Sequence, residues 1–318
     1  VAAGPATTLT RELSADRAAG PSTFYRAGLW KLGLALARAL PLPVCLGAGE
    51  LAGALYGVLR PERRRIVTAN LLPLCGGDPG TARAAARRLF RQFGRKLADL
   101  LRFEAGAPVA GRFVSLNDWE RFEAARQRGR GLLLLTPHLG NWEIGAPLLV
   151  SRGVPLLVVT QAEPEDDLTE VRRRARARWG VETLVIGRDA FAFVEIIKRL
   201  EAGATVAMLV DRPPGPSGVE IPFCGRPFLA SLAPAELARA SGCALLGVYI
   251  VARDGGYTAH VLPEFEYDRA ALGQRAARVA LTARILAAFE PVIRRHADQW
   301  FHFVPIWPAR EGRENAEP

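Results

Sequence analysis

The stretch Gly131–Gly153, GLLLLTPHLGNWEIGAPLLVSRG, constrains the fold more than any other part of the chain. Four consecutive leucines end in Thr136-Pro137-His138, a Leu-Gly-Asn turn follows, and Trp142-Glu143 open an apolar run that closes at Gly153. A short, wholly apolar run bounded by a turn reads as a buried strand, and the run after the turn as the start of a helix. The strand thus delivers a histidine at its carboxyl end, with a carboxylate five residues later. In an α/β sheet that end is where ligands are bound.

The remaining sequence supports such a sheet. Val114 opens a short strand and Asp118–Arg128 a helix. Strand patterns at 132–136, 156–160, 182–186, 205–210, 244–251 and 257–261 alternate with helical ones at 142–150, 168–179, 190–201, 232–241 and 270–296. This alternation predicts an α/β fold with a mixed, largely parallel central sheet flanked by helices. The antiparallel element is expected at the Asp254-Gly255-Gly256 hairpin signal. Upstream, Thr81 to Phe103 carries Ala84, Leu89, Phe93, Leu97 and Leu100 at helical spacing.

Residues 24–60 form the most membrane-like region. Ala39–Leu59 holds a single charge, Glu50, but also Pro41, Pro43 and four glycines. The length suffices for a span, while Pro-x-Pro interrupts it early. Lys31 and Arg38 among Trp30, Leu32, Leu34 and Leu36 form a basic amphipathic pattern suited to an interface. The expected organisation is a mobile tail at 1–23, a helical membrane-associating region at 24–105, an α/β core at 106–308 and a tail at 309–318. The net charge of +10 favours an anionic partner. Cys45, Cys75, Cys224 and Cys243 form no C-x-x-C pair and the four histidines are scattered, so reduced thiols in a cytosol-facing protein and no metal site are expected.

His138 is the candidate base. Of the histidines it alone has a carboxylate five residues on; His260, His296 and His302 meet Phe265, Phe301 and Trp307 there. A histidine needs a partner that holds its tautomer, and a carboxylate does this in hydrolytic triads. The chain has no G-x-S-x-G elbow, so the pair would activate a substrate hydroxyl or water directly. Gly140 permits a tight turn, and Asn141 is placed as the N-cap of the helix that carries Glu143.

The block PHLGNWE resembles the H-x-x-x-x-D/E motif of glycerolipid-type acyltransferases. More narrowly it resembles that of the bacterial late lipid A acyltransferases, whose relatives acylate other lipids such as phosphatidylinositol mannosides. Arg65–Leu71, Leu200–Gly203 with Val206–Arg212, Ile221–Pro227 and Gln299–Trp307 resemble further family blocks in the expected order. Cys224 stands where a second aromatic is common.

The resemblance implies that His138 deprotonates an acceptor hydroxyl, with Glu143 orienting it, and that an acyl thioester is attacked with no cofactor. Acyl carrier protein or coenzyme A would bring the acyl group, and the acceptor would be an anionic membrane lipid. It implies an arginine in the basic helix, Arg176 or else Arg178, that orients the pair or holds an anion. Asn141, Asp211, Arg212, Phe223 and Gly225 are the remaining expected substrate-contacting residues. The inner membrane is the expected location, with the site facing the cytoplasm. A glycolipid mannoside, a lysophospholipid or an amino lipid suits the motifs as well as a lipid A precursor. The rival class is a non-catalytic basic protein binding membrane or nucleic acid. The run at Arg172–Arg178 would serve it, but no nucleic-acid module is recognisable and no nucleic-acid partner is expected.

Overall fold

The computed structural model describes residues 26–163, 165–186, 191–214, 217–253 and 255–308. Both expected tails, 1–23 and 309–318, lie outside the described residues.

Seven strands form the central sheet: β1 (Phe113–Asn117), β2 (Leu132–Thr136), β3 (Leu156–Gln161), β4 (Val181–Ile186), β5 (Thr205–Leu209), β8 (Ala244–Arg253) and β9 (Gly256–Glu264). Their spatial order is β1-β9-β8-β2-β5-β3-β4. Only β8 and β9 pair antiparallel; every other neighbour is parallel. The four-leucine strand lies in the middle and is buried on both faces, as its composition requires. Leu132 and Leu134 pack with Phe122 and Ala146; Leu133 and Leu135 pack on the other side with residues such as Ile196, Leu237 and Leu286.

Helices α5 (Trp119–Gln127), α6 (Gly145–Ser151) and α7 (Asp166–Ala177) connect the first four strands. Helices α8 (Phe191–Glu201), α9 (Ala233–Ser241) and α10 (Arg275–Arg295) complete the α/β core. A separate hairpin, β6 (Val219–Phe223) and β7 (Arg226–Ala230), was not legible as strands in the sequence. Its turn residues Cys224 and Gly225 have φ of 52° and 74°. Paired positive φ values form the tight turn that matches strand twist.

Among the described residues, four α-helices precede the sheet: α1 (Ala27–Ala39), α2 (Leu42–Leu59), α3 (Pro61–Leu71) and α4 (Pro79–Glu104). Pro41 and Pro43 mark the start of α2 rather than a break within it, since proline suits a helix's first turn. The glycines of α2 serve packing. A Cβ on Gly53 would fall 2.1 Å from the Phe90 carbonyl oxygen, and one on Gly94 would fall 1.9 Å from that of Gly49, so α2 and α4 touch backbone to backbone. Glu50 is neutralised by Arg95 at 3.0 Å and Arg91 at 3.8 Å. Away from α4, helix α2 presents Leu51, Leu55, Val58 and Leu59 to the outside, and α1 presents Leu29, Leu32 and Leu36. By length and composition α2 can cross a membrane.

Asp78 caps α4 by accepting the amides of Gly80 and Thr81, and Pro79 occupies its first turn. Asn70, at the end of α3, clamps the C-terminal segment. Its side chain donates to the carbonyls of His302 (3.0 Å) and Val304 (2.8 Å) and accepts the amide of Ile306. Arg63 adds a bond to the Phe303 carbonyl. Arg63 and Asn70 therefore form a clasp that fixes residues 302–306.

Candidate active site

His138 lies just beyond the carboxyl end of β2, and the loop after it is gripped from two sides. The Phe301 amide donates to the His138 carbonyl and the Gly140 amide to the Gln299 carbonyl, both at 2.8 Å. Gly140 has φ of 60°, and a Cβ there would fall 1.8 Å from the Ile250 carbonyl oxygen; only glycine fits.

The partner of His138 is Asp211, two residues beyond β5, which lies beside β2 in the sheet. Asp211 Oδ1 is 2.7 Å from His138 Nδ1, and its Oδ2 accepts the His138 backbone amide at 2.8 Å. The same Oδ2 accepts Trp300 Nε1–H at 2.7 Å and lies 3.0 Å from His302 Nε2. Four N–H groups thus converge on one fully buried carboxylate. The arrangement places the proton of the neutral His138 ring on Nδ1 and leaves Nε2, which makes no hydrogen bond among the described residues, as the free base. Burial lowers the His138 pKa to about 4, against the opposing pull of Asp211, so the ring is neutral at physiological pH. Burial pushes the Asp211 carboxyl up, but the two imidazoles and their hydrogen bonds outweigh it and hold it well below its ordinary value.

Glu143 does not fill the role the spacing predicts, and none of its hydrogen bonds reaches His138. Between Asn141 and Gly145 the chain makes a short 3-10 turn (Trp142–Ile144) that points Trp142 toward His138, with ring centroids 5.1 Å apart, and turns Glu143 toward α4 and α7. There it meets Lys96 Nζ at 2.7 Å, a close contact from Arg172, and Arg176 at 3.6 Å. Arg172 also pairs with Glu104 and Glu163, and Trp30 of α1 donates to Glu104 at 2.6 Å. Lys96 sits 3.8 Å above the Trp142 ring. Burial and Arg172 lower the Lys96 pKa well below its usual value, and the same causes bring Arg176 to about 10.

The other expected residues divide clearly. Arg176 reaches Glu143, whereas Arg178, just past α7, donates to the Glu104 backbone carbonyl at the end of α4. Asn141 occupies the N-cap position of the 3-10 turn that carries Glu143, but its side chain makes no capping bond; it is fully buried and donates to Tyr257 Oη at 3.2 Å. Arg212 is exposed beside the cluster. Phe223 is fully buried against Phe228, Trp300 and Trp307, so it braces the tryptophan that holds Asp211 and does not line a binding surface. Gly225 is in the hairpin turn. The sequence missed Lys96, Arg172, Trp300 and His302 as site residues. Arg172 and Arg176 follow the buried Leu168 at steps of four, and that inward-facing period was the available signal.

An apolar cavity of about 1020 Å³, counting its opening, runs along the sheet face under α5 and α6. Its lining extends from Thr136, Trp142, Glu143 and Arg176 to Ala207, Trp119 and Phe122. His138, Asp211 and His302 also offer atoms within 4.8 Å of one another that could hold a cation. Those atoms already pair among themselves, and Asp211 Oδ2 takes two further N–H donors, so this set has the chemistry of a hydrogen-bonded base.

These features define an α/β protein with a buried histidine–aspartate pair at the carboxyl edge of its sheet and an apolar cavity beside it. The chain belongs to the bacterial lipid A biosynthesis acyltransferase family, whose profile matches residues 22–308, and it is an acyltransferase. It is 26% identical over 287 residues to a phosphatidylinositol mannoside acyltransferase of Mycolicibacterium smegmatis, covering 90% of each chain. It is 27% identical over 191 residues to a protein of the same name from Mycobacterium tuberculosis, covering 60% of this chain and 58% of that one.

Proposed function

We propose that this enzyme moves a fatty acyl chain from an acyl thioester, on coenzyme A or acyl carrier protein, to a hydroxyl of a phosphatidylinositol mannoside or a closely related membrane glycolipid. The observation that carries this reading is His138, with Nδ1 held by Asp211 and Nε2 making no hydrogen bond among the described residues, next to an apolar cavity. His138 Nε2 takes the acceptor proton as the hydroxyl oxygen bonds to the thioester carbonyl carbon. Asp211 stabilises the resulting imidazolium. Collapse of the tetrahedral adduct breaks the C–S bond, and the departing thiolate recovers the proton from Nε2. A thioester is already activated, so no covalent enzyme intermediate is needed. The outward leucines of α1 and α2, with Lys31 and Arg38, suit the surface of the cytoplasmic membrane, where such an acceptor resides.

The test combines purified protein, vesicles containing phosphatidylinositol mannoside and labelled palmitoyl-coenzyme A. Wild type should form an acylated glycolipid and His138→Ala should form none. Full activity in His138→Ala, or no product from any thioester donor, would overturn the reading.

A further inference from the structure

How strongly His138 feels the charge of Asp211 depends on how much of that charge other donors take. Trp300 is one such donor, and it comes from the far end of the chain. Its indole N–H donates to Asp211 Oδ2 at 2.7 Å. The backbone registers this meeting. The Phe301 amide bonds the His138 carbonyl and the Gly140 amide bonds the Gln299 carbonyl, which sets Leu139 opposite Trp300 in a short antiparallel bridge. The residues on either side of Trp300 thus grip the loop of the base, while its side chain reaches the carboxylate of the base. The indole is fully buried between Phe223, His302 and Trp307, with ring centroids 6.1, 4.6 and 6.3 Å away.

We infer that Trp300 is a positioning residue of the base: by donating to Asp211 it draws negative charge away from His138 and keeps the imidazole weakly basic and uncharged. This rests on the acyl-transfer reading above, in which His138 is the base. An N–H aimed at a carboxylate sets the positive end of its dipole there, which favours the carboxylate's charge and opposes a second cation beside it. The other groups facing His138 leave Asp211 as the one pull toward protonation. Burial opposes it, as do His302, which shares Oδ2, and Arg212 beyond β5. From α4, Lys96 lies behind the Trp142 ring and is paired with Glu143. Trp300 weakens that one opposing pull without adding a charge of its own. Without its N–H, the imidazolium gains the full attraction of Asp211, and Nε2 loses its lone pair to a solvent proton at a higher pH.

The test titrates the histidine rings of the full chain by NMR, in detergent micelles and with the imidazole nitrogens isotope-labelled; His138→Asn identifies the His138 signals. Trp300→Phe removes the N–H and keeps a buried aromatic ring. A second chain carries 3-benzothienylalanine at position 300, which has the shape of the indole and no N–H. Trp307→Phe is the control, because the Trp307 indole donates to the Asn70 carbonyl at 3.1 Å and not to Asp211. The protonation midpoint of His138 should rise by about one pH unit in both chains altered at position 300 and by less than about 0.3 unit in the control. The acid limb of the kcat profile should move up with it, while the KM values for glycolipid and thioester change less than about twofold. An unchanged or lowered midpoint in the benzothienyl chain, an equal rise in Trp307→Phe, or a kcat limb that stays in place would overturn the assignment. If the wild type forms no acylated lipid, the acyl-transfer reading fails, yet the ring titration still decides whether Trp300 sets the imidazole.

Discussion

Replacing Asp211 by asparagine isolates the role of the His138 partner. Oδ2 receives three N–H donors, from the His138 backbone, Trp300 and His302, whereas Oδ1 faces only His138 Nδ1. Asparagine has one acceptor oxygen, and three donors dictate that it take the Oδ2 position. Its NH2 then points at His138 Nδ1, which must become the acceptor, and the ring proton moves to Nε2. The base is blocked by its own tautomer. Restoring the productive tautomer would set N–H against NH2 in a buried site, at about 1–3 kcal/mol for each unsatisfied group. The variant also loses the anion that stabilises the imidazolium. The analogous exchange in hydrolytic triads costs about 10⁴ in rate. The expected loss in kcat here is therefore about 10³–10⁴, with both KM values within about threefold. Initial-rate measurements at saturating thioester, with circular dichroism confirming the fold, provide the assay. A variant within tenfold of wild type would refute Asp211 as the residue that sets the tautomer.

Glu143→Gln leaves Lys96, Arg172 and Arg176 facing only Glu104 and Glu163, so it should cost about 3–5 kcal/mol of stability, read by urea unfolding; a loss under 1 kcal/mol would contradict the network. His138 binds its proton near pH 4 when folded and near 6.5 when unfolded, so its contribution is full above about pH 6.5 and lost as pH falls toward 4. The decline is on the order of 3 kcal/mol and should be shallower in His138→Asn, seen in urea midpoints between pH 7 and 4.5. Ala207→Phe places a ring in the apolar cavity. Displacing about four methylenes costs about 3 kcal/mol, so transfer of palmitoyl should fall about 100-fold while butyryl transfer stays within twofold; equal losses for both chains would remove the cavity from acyl binding.

The strand that presents His138 was legible because four adjacent leucines fit a strand buried on both faces. The partner was not. His138 and Asp211 are 73 residues apart, and Trp300 and His302 lie 89 and 91 residues beyond Asp211. They meet only because β5 lies beside β2 and because Asn70 clasps the C-terminal segment. The sequence does put Asp211 at a strand end, but strand order is a property of the whole sheet. Glu143 misled in the other direction. Closeness along the chain suggested contact, and the 3-10 turn at Trp142 reversed the side chain's direction. Lys96 hid for a different reason. It falls on the inward face of α4 with Phe93 and Leu100, where periodicity alone assigns apolar packing.

Two carboxylates near one histidine need separate duties, and their surroundings assign them. Asp211 is enclosed by N–H donors from neutral rings and a backbone amide, so its charge acts on His138 and on the proton that His138 carries. Glu143 is enclosed by Lys96, Arg172 and Arg176, and its charge is spent on them. Those cations come from α4 and α7, and Glu104 of the same network holds Trp30 of α1. Glu143 therefore joins the helix with the outward leucines to the loop of the base, and Lys96 beside it presses on Trp142, whose ring edges His138. Loss of Asp211 should appear in kcat. Loss of Glu143 should appear first in stability and then in the KM of the thioester, because Glu143 lines the apolar cavity and its loss loosens that wall.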